Sequence, residues 1–339
     1  MSDPGRVIAM PQLPAWCRDV AFLDGSAPIP IDRPFTAVEA DVAGVAASLR
    51  RRLVAGGLLR PLLRGVFVAS HVPDSLRLRV AAVELVLPPH VVVVDRTAAW
   101  VHGVDALPRS AIHEMPSLDL FSLAGSRMRR AGVRSGVREL LPRDVEEVEG
   151  VLITSPLRTT CDLGRLLWRY DALAAIDGFL RLGVDQRQLL TEVDRFKGHR
   201  GVVQLRHLAP LGDTGAESPP ESALRLHWHE SGIPVPPETQ IWEYADDGTP
   251  RFRIDVGSRE VRYGAEYFGE QFHDDDAGKH DDERLSWLRT RRAWMMDVFV
   301  REDCYGNELG AGDRLRAGFE SARATYASRS VTIIDLARM

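Results

Sequence analysis

The hydrophobic and polar residues of the chain follow helical spacing in some segments and strand-like spacing in others. Near the N-terminus, Thr36 followed by Glu39 forms a capping-box pair, which predicts a helix that begins at Thr36. Apolar residues at helical spacing in 45–54 predict a second helix, which the glycines at 56–57 end. The next segment, LLRPLLRGVFVAS, is typical of a strand, a turn and a strand.

Two later segments each combine a buried strand with a helix. HVVVVDRTAAWVHGVDAL at 90–107 predicts a strand followed by a short helix. GVLITSPLRTTCDLGRLL at 150–167 predicts a strand, a break at Ser155-Pro156, and a helix. The middle of the chain is therefore expected to be an α/β domain.

A change of composition at 211–222, LGDTGAESPPES, predicts a linker into a further domain. Ser218-Pro-Pro-Glu221 opens a helix. Three strands, a basic helix and a last strand are predicted after it, at 240–244, 251–256, 261–268, 280–294 and 295–301. The order helix, three strands, helix, strand is that of the PD-(D/E)XK nuclease core.

Length and composition limit the class of protein. The chain has 339 residues, which suggests two or three domains, and 45% of them are hydrophobic. Apolar runs near the ~18 residues of a membrane span are absent from the sequence, and the start, MSDPGRVIAM, lacks the features of a secretory signal. We therefore expect a cytoplasmic protein with no membrane partner. Its three cysteines are far apart, which argues against a disulfide scaffold and against Cys-x-x-Cys metal clusters.

The positive charge is concentrated in arginine, although the net charge is −5. Segments 44–79 and 127–143 are rich in arginine and contain one acid each, Asp74 and Glu139. Such clusters favour a phosphate-binding surface, and the alternative is a solvated basic face. Two helices followed by a strand–turn–strand predict a winged helix-turn-helix, whose second helix enters the major groove. The predicted DNA-binding residues are Ser48, Arg50, Arg51, Arg52, Arg60 and Arg64.

The ordered segments RRRLVAGGLLRPLLRGVFVA, 90–107 and 150–167 resemble the AbiEi-type antitoxin family, which is common in actinobacteria. The resemblance covers about 33–210 and includes an "RT..DL" stretch, here Arg158, Thr159, Asp162 and Leu163. It implies double-stranded DNA as a partner, often in autoregulation of an operon, and a cognate toxin as a second partner. Arg158 and Asp162 are four residues apart on one helix, so an ion pair that positions the helix is favoured over catalysis.

The C-terminal segment resembles the DUF559 family, relatives of the very-short-patch repair endonuclease. Glu221, Asp255, Glu266 and His273 are the residues that carry this resemblance, over about 216–305. It implies a restriction-endonuclease-like domain that cleaves DNA with Mg²⁺ or Mn²⁺, with Asp255 and Glu266 as metal ligands. Alternatives from the residues alone are a helix-capping role for Glu221, a turn role for Asp255 and a surface position for His273.

Two features of this segment weigh against activity. If 257–260 is the loop, Val256 faces Val261, and the two acids are about four residues apart along the strands, roughly 13 Å. A bulge or a shifted register is then needed to bring them together. Phe268 also stands where the DUF559 pattern has an aspartate and where the wider nuclease fold has a lysine. An aromatic ring replaces neither group.

The sequence thus predicts a multidomain α/β protein: a winged helix-turn-helix, an AbiEi-like α/β domain and a PD-(D/E)XK-like domain. The predicted divisions are an N-terminal arm at 1–32, then 33–73, 74–210, a linker at 211–222, 216–310, and a C-terminal tail at 311–339. The leading hypothesis is DNA binding with Mg²⁺-dependent cleavage. The alternatives are a non-catalytic DNA-binding regulator or antitoxin, and, less favoured by the arginine clusters, a protein–protein adaptor.

Overall fold

The chain divides into two compact units. The computed structural model describes residues 13–87, 91–108, 116–123, 132–269, 275–306 and 310–336, with the backbone alone for 275–281 and 327–336. The first unit comprises Met1–Gly103 and Leu107–Thr159, and the second comprises Val104–Ala106 and Thr160–Met339. The division lies inside the segment 74–210, so the two units do not coincide with the three predicted domains. Within the described residues, no helix is long and apolar enough to cross a membrane.

The first unit begins with the predicted pair of helices and strand–turn–strand. Its elements are β1 (Phe35–Thr36), α1 (Ala37–Val42), α2 (Ala47–Ala55), β2 (Leu59–Leu63) and β3 (Val66–Ala69), with strand order β1-β3-β2. The capping box at the start of α1 is confirmed. Glu39 N donates to Thr36 Oγ1 at 3.1 Å, and Thr36 N donates to the Glu39 carboxylate at 2.7 Å. Residues Cys17, Leu23 and Ile29, which precede these elements, are buried in the same apolar cluster as Phe35 and Leu53.

The rest of the first unit is a five-stranded sheet with two helices. They are α3 (Leu76–Glu84), β4 (Val91–Val93), α4 (Asp95–His102), β5 (Leu118–Ser122), β6 (Val133–Arg134), β7 (Val145–Val148) and β8 (Val151–Thr154). The strand order is β6-β5-β4-β8-β7, with β4 parallel to β8. The strand–helix pair predicted at 90–107 is confirmed as β4 and α4, and the strand predicted near 150 is confirmed as β8.

A buried charge network crosses this sheet. Asp95, which has a left-handed φ of 51°, accepts from Arg134 at 2.8 Å and from Arg138 at 2.5 Å. Arg134 also binds Asp119 at 2.6 Å. Arg134 and Arg138 belong to the arginine cluster at 127–143, and in the folded chain they pair with two buried carboxylates. The first arginines of that cluster, in 124–131, lie outside the described residues.

Helix α5 (Pro156–Leu166) spans the division, and the second unit continues with α6 (Arg169–Arg181), α7 (Gln186–Glu192) and α8 (Val202–Leu208). The remainder has the predicted order: α9 (Pro219–Glu230), β9 (Glu238–Tyr244), β10 (Pro250–Ser258), β11 (Tyr263–Tyr267), α10 (Asp275–Arg291) and β12 (Met295–Phe299). The sheet order is β12-β11-β10-β9, and β12 runs parallel to β11. The chain continues with α11 (Arg301–Tyr305) and α12 (Ala311–Leu336), so the segment labelled a tail is helical, with Leu315 and Phe319 buried.

A buried ion pair joins α6 to α9. Arg225 Nη2 donates to both oxygens of Asp177, at 2.8 and 2.7 Å, and both side chains are almost fully buried. The same carboxylate accepts from Asp213 N at 2.8 Å, and Arg225 also donates to Leu211 O. Ala216 is buried as well. The segment 211–222, predicted as a linker, is therefore bonded to the helices on both sides of it.

We expect Asp177→Ala to lower the free energy of unfolding by about 3–5 kcal/mol, because it leaves the Arg225 guanidinium buried without its counter-ion. Asp177→Leu combined with Arg225→Met should recover most of this loss, since no buried charge then remains. Urea unfolding of the full chain measures both effects.

The matched control is Arg259→Ala, which removes an ion pair with Glu238 whose side chains are 53% and 41% exposed. Its cost should stay below about 1 kcal/mol. Equal costs at the two sites would contradict the importance of the buried pair.

Candidate functional site: a row of acids and a basic helix

The register of β10 and β11 differs from the one predicted. Val256 pairs with Ala265, Gly257 with Gly264, and Ser258 with Tyr263. Continued by one residue, this register sets Asp255 directly opposite Glu266, where Cβ atoms of facing residues are about 5 Å apart. The predicted separation of roughly 13 Å is therefore wrong. The turn lies two residues later than expected, at 259–262, and includes Arg262 in a left-handed conformation with φ 52°.

Asp255 lies in an environment that disfavours its charge. The residue is partly buried, and its Oδ2 accepts from Tyr267 N at 3.2 Å. Burial and the nearby Glu221 carboxylate raise the pKa of Asp255 to about 6, against the opposing effects of that hydrogen bond, Arg284 and Arg253. A carboxylate in this state gains from either a proton or a cation.

Glu221 reaches this region from the first turn of α9. Its Oε1 accepts from Ser218 Oγ at 2.6 Å, and its Oε2 accepts from Glu217 N at 2.9 Å. These contacts match the helix-capping alternative for Glu221. Its Oε2 also accepts from Gln240 Nε2 at 2.8 Å, a contact that the capping pattern does not account for. Glu221 thus serves the helix start and faces the sheet.

Glu266 is 1% exposed and forms an ion pair with Arg284 of α10. The Arg284 guanidinium also lies over the ring of Phe268, 5.9 Å from its centroid. Phe268 itself packs against the apolar cluster between the sheet and α10, which includes Ile254 and Leu285. Phe268, directly after β11, stands where a lysine was expected. A positive charge reaches Glu266 from Arg284 of α10 instead.

Sequence reasoning missed Gln240 and Arg284. Gln240 is recognisable only from the pairing of β9 with β10, in which Thr239 faces Val256 and Ile241 faces Ile254. That register sets Gln240 opposite Asp255, so one row runs Gln240, Asp255, Glu266 across three strands. Arg284 is one of several arginines of its helix, and its neighbours in sequence give no signal that it binds Glu266.

The side-chain oxygens of Gln240, Asp255 and Glu266 provide only part of the ligand set of a hard cation such as Mg²⁺. Carboxylate and carboxamide oxygens are the ligands that Mg²⁺ takes, commonly one or two carboxylates with water and phosphate completing the shell. Asp255 and Glu266 meet that minimum. Among the described residues, however, no group of three or more His, Cys, Asp or Glu side chains is placed to hold a metal ion. The fourth predicted residue, His273, lies outside the described residues.

The predicted DNA-binding residues near α2 separate into two groups. Ser48, Arg51 and Arg64 are exposed, and Arg52 is half-buried. Arg50 is buried; it donates to Val45 O and pairs with Asp41 at 2.5 Å. Its guanidinium thus faces inward and bonds α1 to α2, while the contact of Arg50 with DNA stays a prediction. Arg60 donates to Val72 O at 3.0 Å.

Comparison with known proteins identifies the chain. The uncharacterized proteins MT2308 and Rv2248, from the CDC 1551 / Oshkosh and H37Rv strains of Mycobacterium tuberculosis, are each 32% identical to it over 250 residues. The alignment covers 73% of this chain and 87% of each relative. The chain belongs to the family of these mycobacterial proteins. In addition, residues 91–211 match the family model of the AbiEi antitoxin C-terminal domain. The similarity to the mycobacterial proteins extends well beyond this AbiEi domain.

Within the AbiEi domain, the two charged residues of the "RT..DL" stretch have buried structural partners. Arg158 binds Asp144 at 2.8 Å, and Asp162 binds Arg165 at 2.5 Å. All four side chains are less than a tenth exposed. These ion pairs position α5 and provide no exposed catalytic group.

We expect the raised pKa of Asp255 to destabilise the metal-free protein as pH rises. Between pH 4 and 6 the unfolded chain releases this proton and the folded chain retains it, so the free energy of unfolding falls through that window. The loss is about 2 kcal/mol once solvent screening of the partly exposed carboxyl group is included. Urea unfolding in EDTA from pH 4 to pH 7 measures it.

Asp255→Asn should lack this loss and should be more stable than the wild type at pH 7. Asp246→Asn is the control, because the side chain of Asp246 is 92% exposed. The interpretation fails if Asp255→Asn keeps the wild-type dependence on pH.

Proposed function

We propose that the protein is a DNA-binding regulator of the AbiEi antitoxin type. The observation that carries this proposal is the match of residues 91–211 to the AbiEi antitoxin C-terminal domain. The preceding segment supports it, because two helices and a strand–turn–strand at 35–69 have the order of a winged helix-turn-helix. A regulator needs a DNA-reading element joined to a stable domain, and the order of these segments supports that proposal.

The exposed face of α2 is the proposed contact with DNA. Ser48 and Arg51 lie on it, and Arg64 lies at the turn between β2 and β3. Because Arg50 is bonded to Asp41 and Val45 O, it fixes the angle between α1 and α2. Arg50 thus holds the helix pair, and the exposed Arg51 and Arg64 are the arginines proposed to contact phosphate oxygens or guanine edges.

We expect Arg51→Ala combined with Arg64→Ala to weaken binding to double-stranded DNA from the upstream region of the protein's own gene. If each arginine contacts one phosphate, the slope of log K against log salt should decrease by about 0.9 per lost contact. The measurement is fluorescence anisotropy at a series of salt concentrations.

Arg316→Ala is a suitable control, since Arg316 is an exposed arginine on α12 that pairs only locally with Asp313. Arg50→Ala should instead lower the melting temperature, because it leaves Asp41 and Val45 O without their donor. Unchanged affinity and salt slope in the Arg51/Arg64 variant would exclude this face from DNA binding.

A cognate toxin is the second partner that an antitoxin requires. A toxin encoded beside this gene should stop growth when expressed alone, and co-expression of the protein should restore growth. If the protein fails to restore growth, it is a regulator without antitoxin activity.

A second candidate function is metal-dependent DNA cleavage by the C-terminal part of the second unit. The register that sets Asp255 opposite Glu266 favours it, as does the order of elements from α9 to β12, which is that of a PD-(D/E)XK domain. A bound Mg²⁺ or Mn²⁺ would polarise a phosphodiester and activate a water molecule. Asp255 and Glu266 would hold it, and Glu221 would keep the Asp255 carboxyl ready to exchange its proton for a cation.

Arg284 would supply the positive charge that is missing because Phe268 stands in place of a lysine. The guanidinium stands beside Glu266 and above the Phe268 ring, so it occupies the side of the row from which a strand lysine is missing. In this role it would stabilise negative charge on a phosphate after release from Glu266. Phe268 supports Arg284 through its ring face.

We expect Mn²⁺ to raise the melting temperature of the wild type and to leave that of Asp255→Asn unchanged. At a free Mn²⁺ concentration of 100 times Kd, binding stabilises the folded state by about 2.7 kcal/mol. Supercoiled DNA should be nicked by the wild type with Mn²⁺, and not by Asp255→Asn or in EDTA. Metal binding without nicking would leave a cation-stabilised DNA-binding domain, and stabilisation that persists in Asp255→Asn would exclude the row as the site.

A further inference from the structure

A cavity of about 270 Å³ lies beside the start of β11 and β12, where the end of α10 and the later part of α12 complete its walls. An apolar cavity of about 150 Å³ accepts benzene, so this one has room for a ligand of one or two rings. The acids Glu221, Asp255 and Glu266 do not line it. It is therefore a separate site from the row of acids.

The packing of α12 on the sheet creates this space. A Cβ atom on Gly318 would come within 2.5 Å of Asp297 Oδ2, so the helix lies directly against the sheet at this point. Ala322 follows one turn later on the same face of α12, is 3% exposed and lines the cavity. Ala293 also lines it with a single methyl group. The helix is thus held close at Gly318, and the small residues beyond leave a volume that larger side chains would fill.

Most of the lining is apolar and fixed in place. Trp294 and Met296 are buried, and Trp294 Nε1 donates to Glu243 Oε1 at 2.8 Å, which fixes the indole ring. Methionine sulfur makes favourable contacts with aromatic rings, so these walls suit an aromatic ligand. The apolar side chains of the lining are Val261, Ala293, Trp294, Met295, Met296 and Ala322.

The charged side chains of the lining, among the described residues, are Arg262 and Arg289. Arg262 Nη1 donates to Arg292 O at 2.6 Å, and Arg289 Nη2 donates to Met296 O at 2.9 Å. Neither guanidinium forms an ion pair within the part of the chain that the structure describes. Because a guanidinium has five N–H groups, each arginine keeps donors for an anion besides the bond that holds it. Arginines of the same unit that do pair with acids are Arg253, Arg284 and Arg292.

We propose that this cavity binds a small aromatic carboxylate, with the carboxylate against Arg262 and Arg289 and the ring against Trp294 and Met296. A guanidinium binds a carboxylate through two parallel hydrogen bonds, which suits this anion. A neutral ligand would cover two positive charges without pairing them, and an inorganic anion would leave the apolar walls in contact with water. The inference goes beyond DNA binding and does not depend on it.

The test is titration calorimetry of the full chain with 1-naphthoate as the probe. For a ligand of this size we expect a dissociation constant of about 1 mM or lower. Two other probes each lack one half of the ligand: 1-naphthamide has the rings without the charge, and inorganic phosphate has charge without rings. Each should bind at least about 10-fold more weakly than 1-naphthoate.

Arg289→Gln removes one positive charge from the cavity and lies at an exposed position, where it should not affect folding. It should weaken 1-naphthoate binding by about 10- to 100-fold, the usual loss for a hydrogen bond to a charged group, and leave 1-naphthamide binding unchanged. Arg291→Gln is the matched control, since Arg291 is an exposed arginine of the same helix that does not line the cavity. It should keep wild-type affinity.

Ala322→Leu fills the cavity from α12 and should abolish 1-naphthoate binding. Ala324→Leu, at an exposed position two residues later, is its control. The melting temperature without ligand shows whether Ala322→Leu is folded, and Arg289→Gln tests the same site independently. Absence of 1-naphthoate binding to the wild type, or equal affinity in the wild type, Arg289→Gln and Ala322→Leu, would overturn the inference. Phosphate binding as tight as that of 1-naphthoate would also overturn it, because the apolar walls would then contribute nothing.

Discussion

The buried ion pair between Asp177 and Arg225 is the constraint on which the second unit depends. It joins α6, which lies in the AbiEi domain, to α9, the helix that begins with Glu221. The same carboxylate holds the amide of Asp213, whose side chain in turn accepts from Thr239 of β9. A charge pair with this little exposure contributes less net stability than apolar packing would, but it tolerates only one relative placement of the two helices. The segment between them is consequently fixed at several points.

The position of α9 determines what the acids of the sheet experience. Arg225 lies one turn after Glu221 on this helix, so the ion pair that fixes α9 also fixes how closely Glu221 approaches Asp255. Burial first, and then the nearby Glu221 carboxylate, raise the pKa of Asp255. Gln240 donates a hydrogen bond to the Glu221 carboxylate, and Arg284 forms an ion pair with Glu266. Helix packing and strand pairing together thus set the electrostatic environment of the row Gln240, Asp255 and Glu266.

The elements of the fold were largely predictable because their signals are local. A capping box at Thr36 and Glu39, the glycines after α2, and the Ser218-Pro-Pro-Glu221 start of α9 each place a helix end within a few residues. The order of elements in the C-terminal part followed from three apolar-rich segments and the helix before the last strand. The partners of some arginines were not predictable. Arg50 and the arginines at 134 and 138 look like surface charges in sequence, and the acids that pair with them lie elsewhere in the chain.

The order of helices and strands, the resemblance to AbiEi antitoxins and the acids at 221, 255 and 266 could be read from the residues alone. The pairing of Asp255 with Glu266 could not, because a shift of the turn to 259–262 changes the register of every residue in the hairpin. The contacts of Gln240 and Arg284 with these acids could not be read from the residues either. Gln240, which has a left-handed backbone, donates to Glu221 from β9. Arg284 of α10 binds Glu266, which lies 18 residues away along the chain. Contacts of this kind depend on how elements pack in space, and no local pattern of residues encodes that.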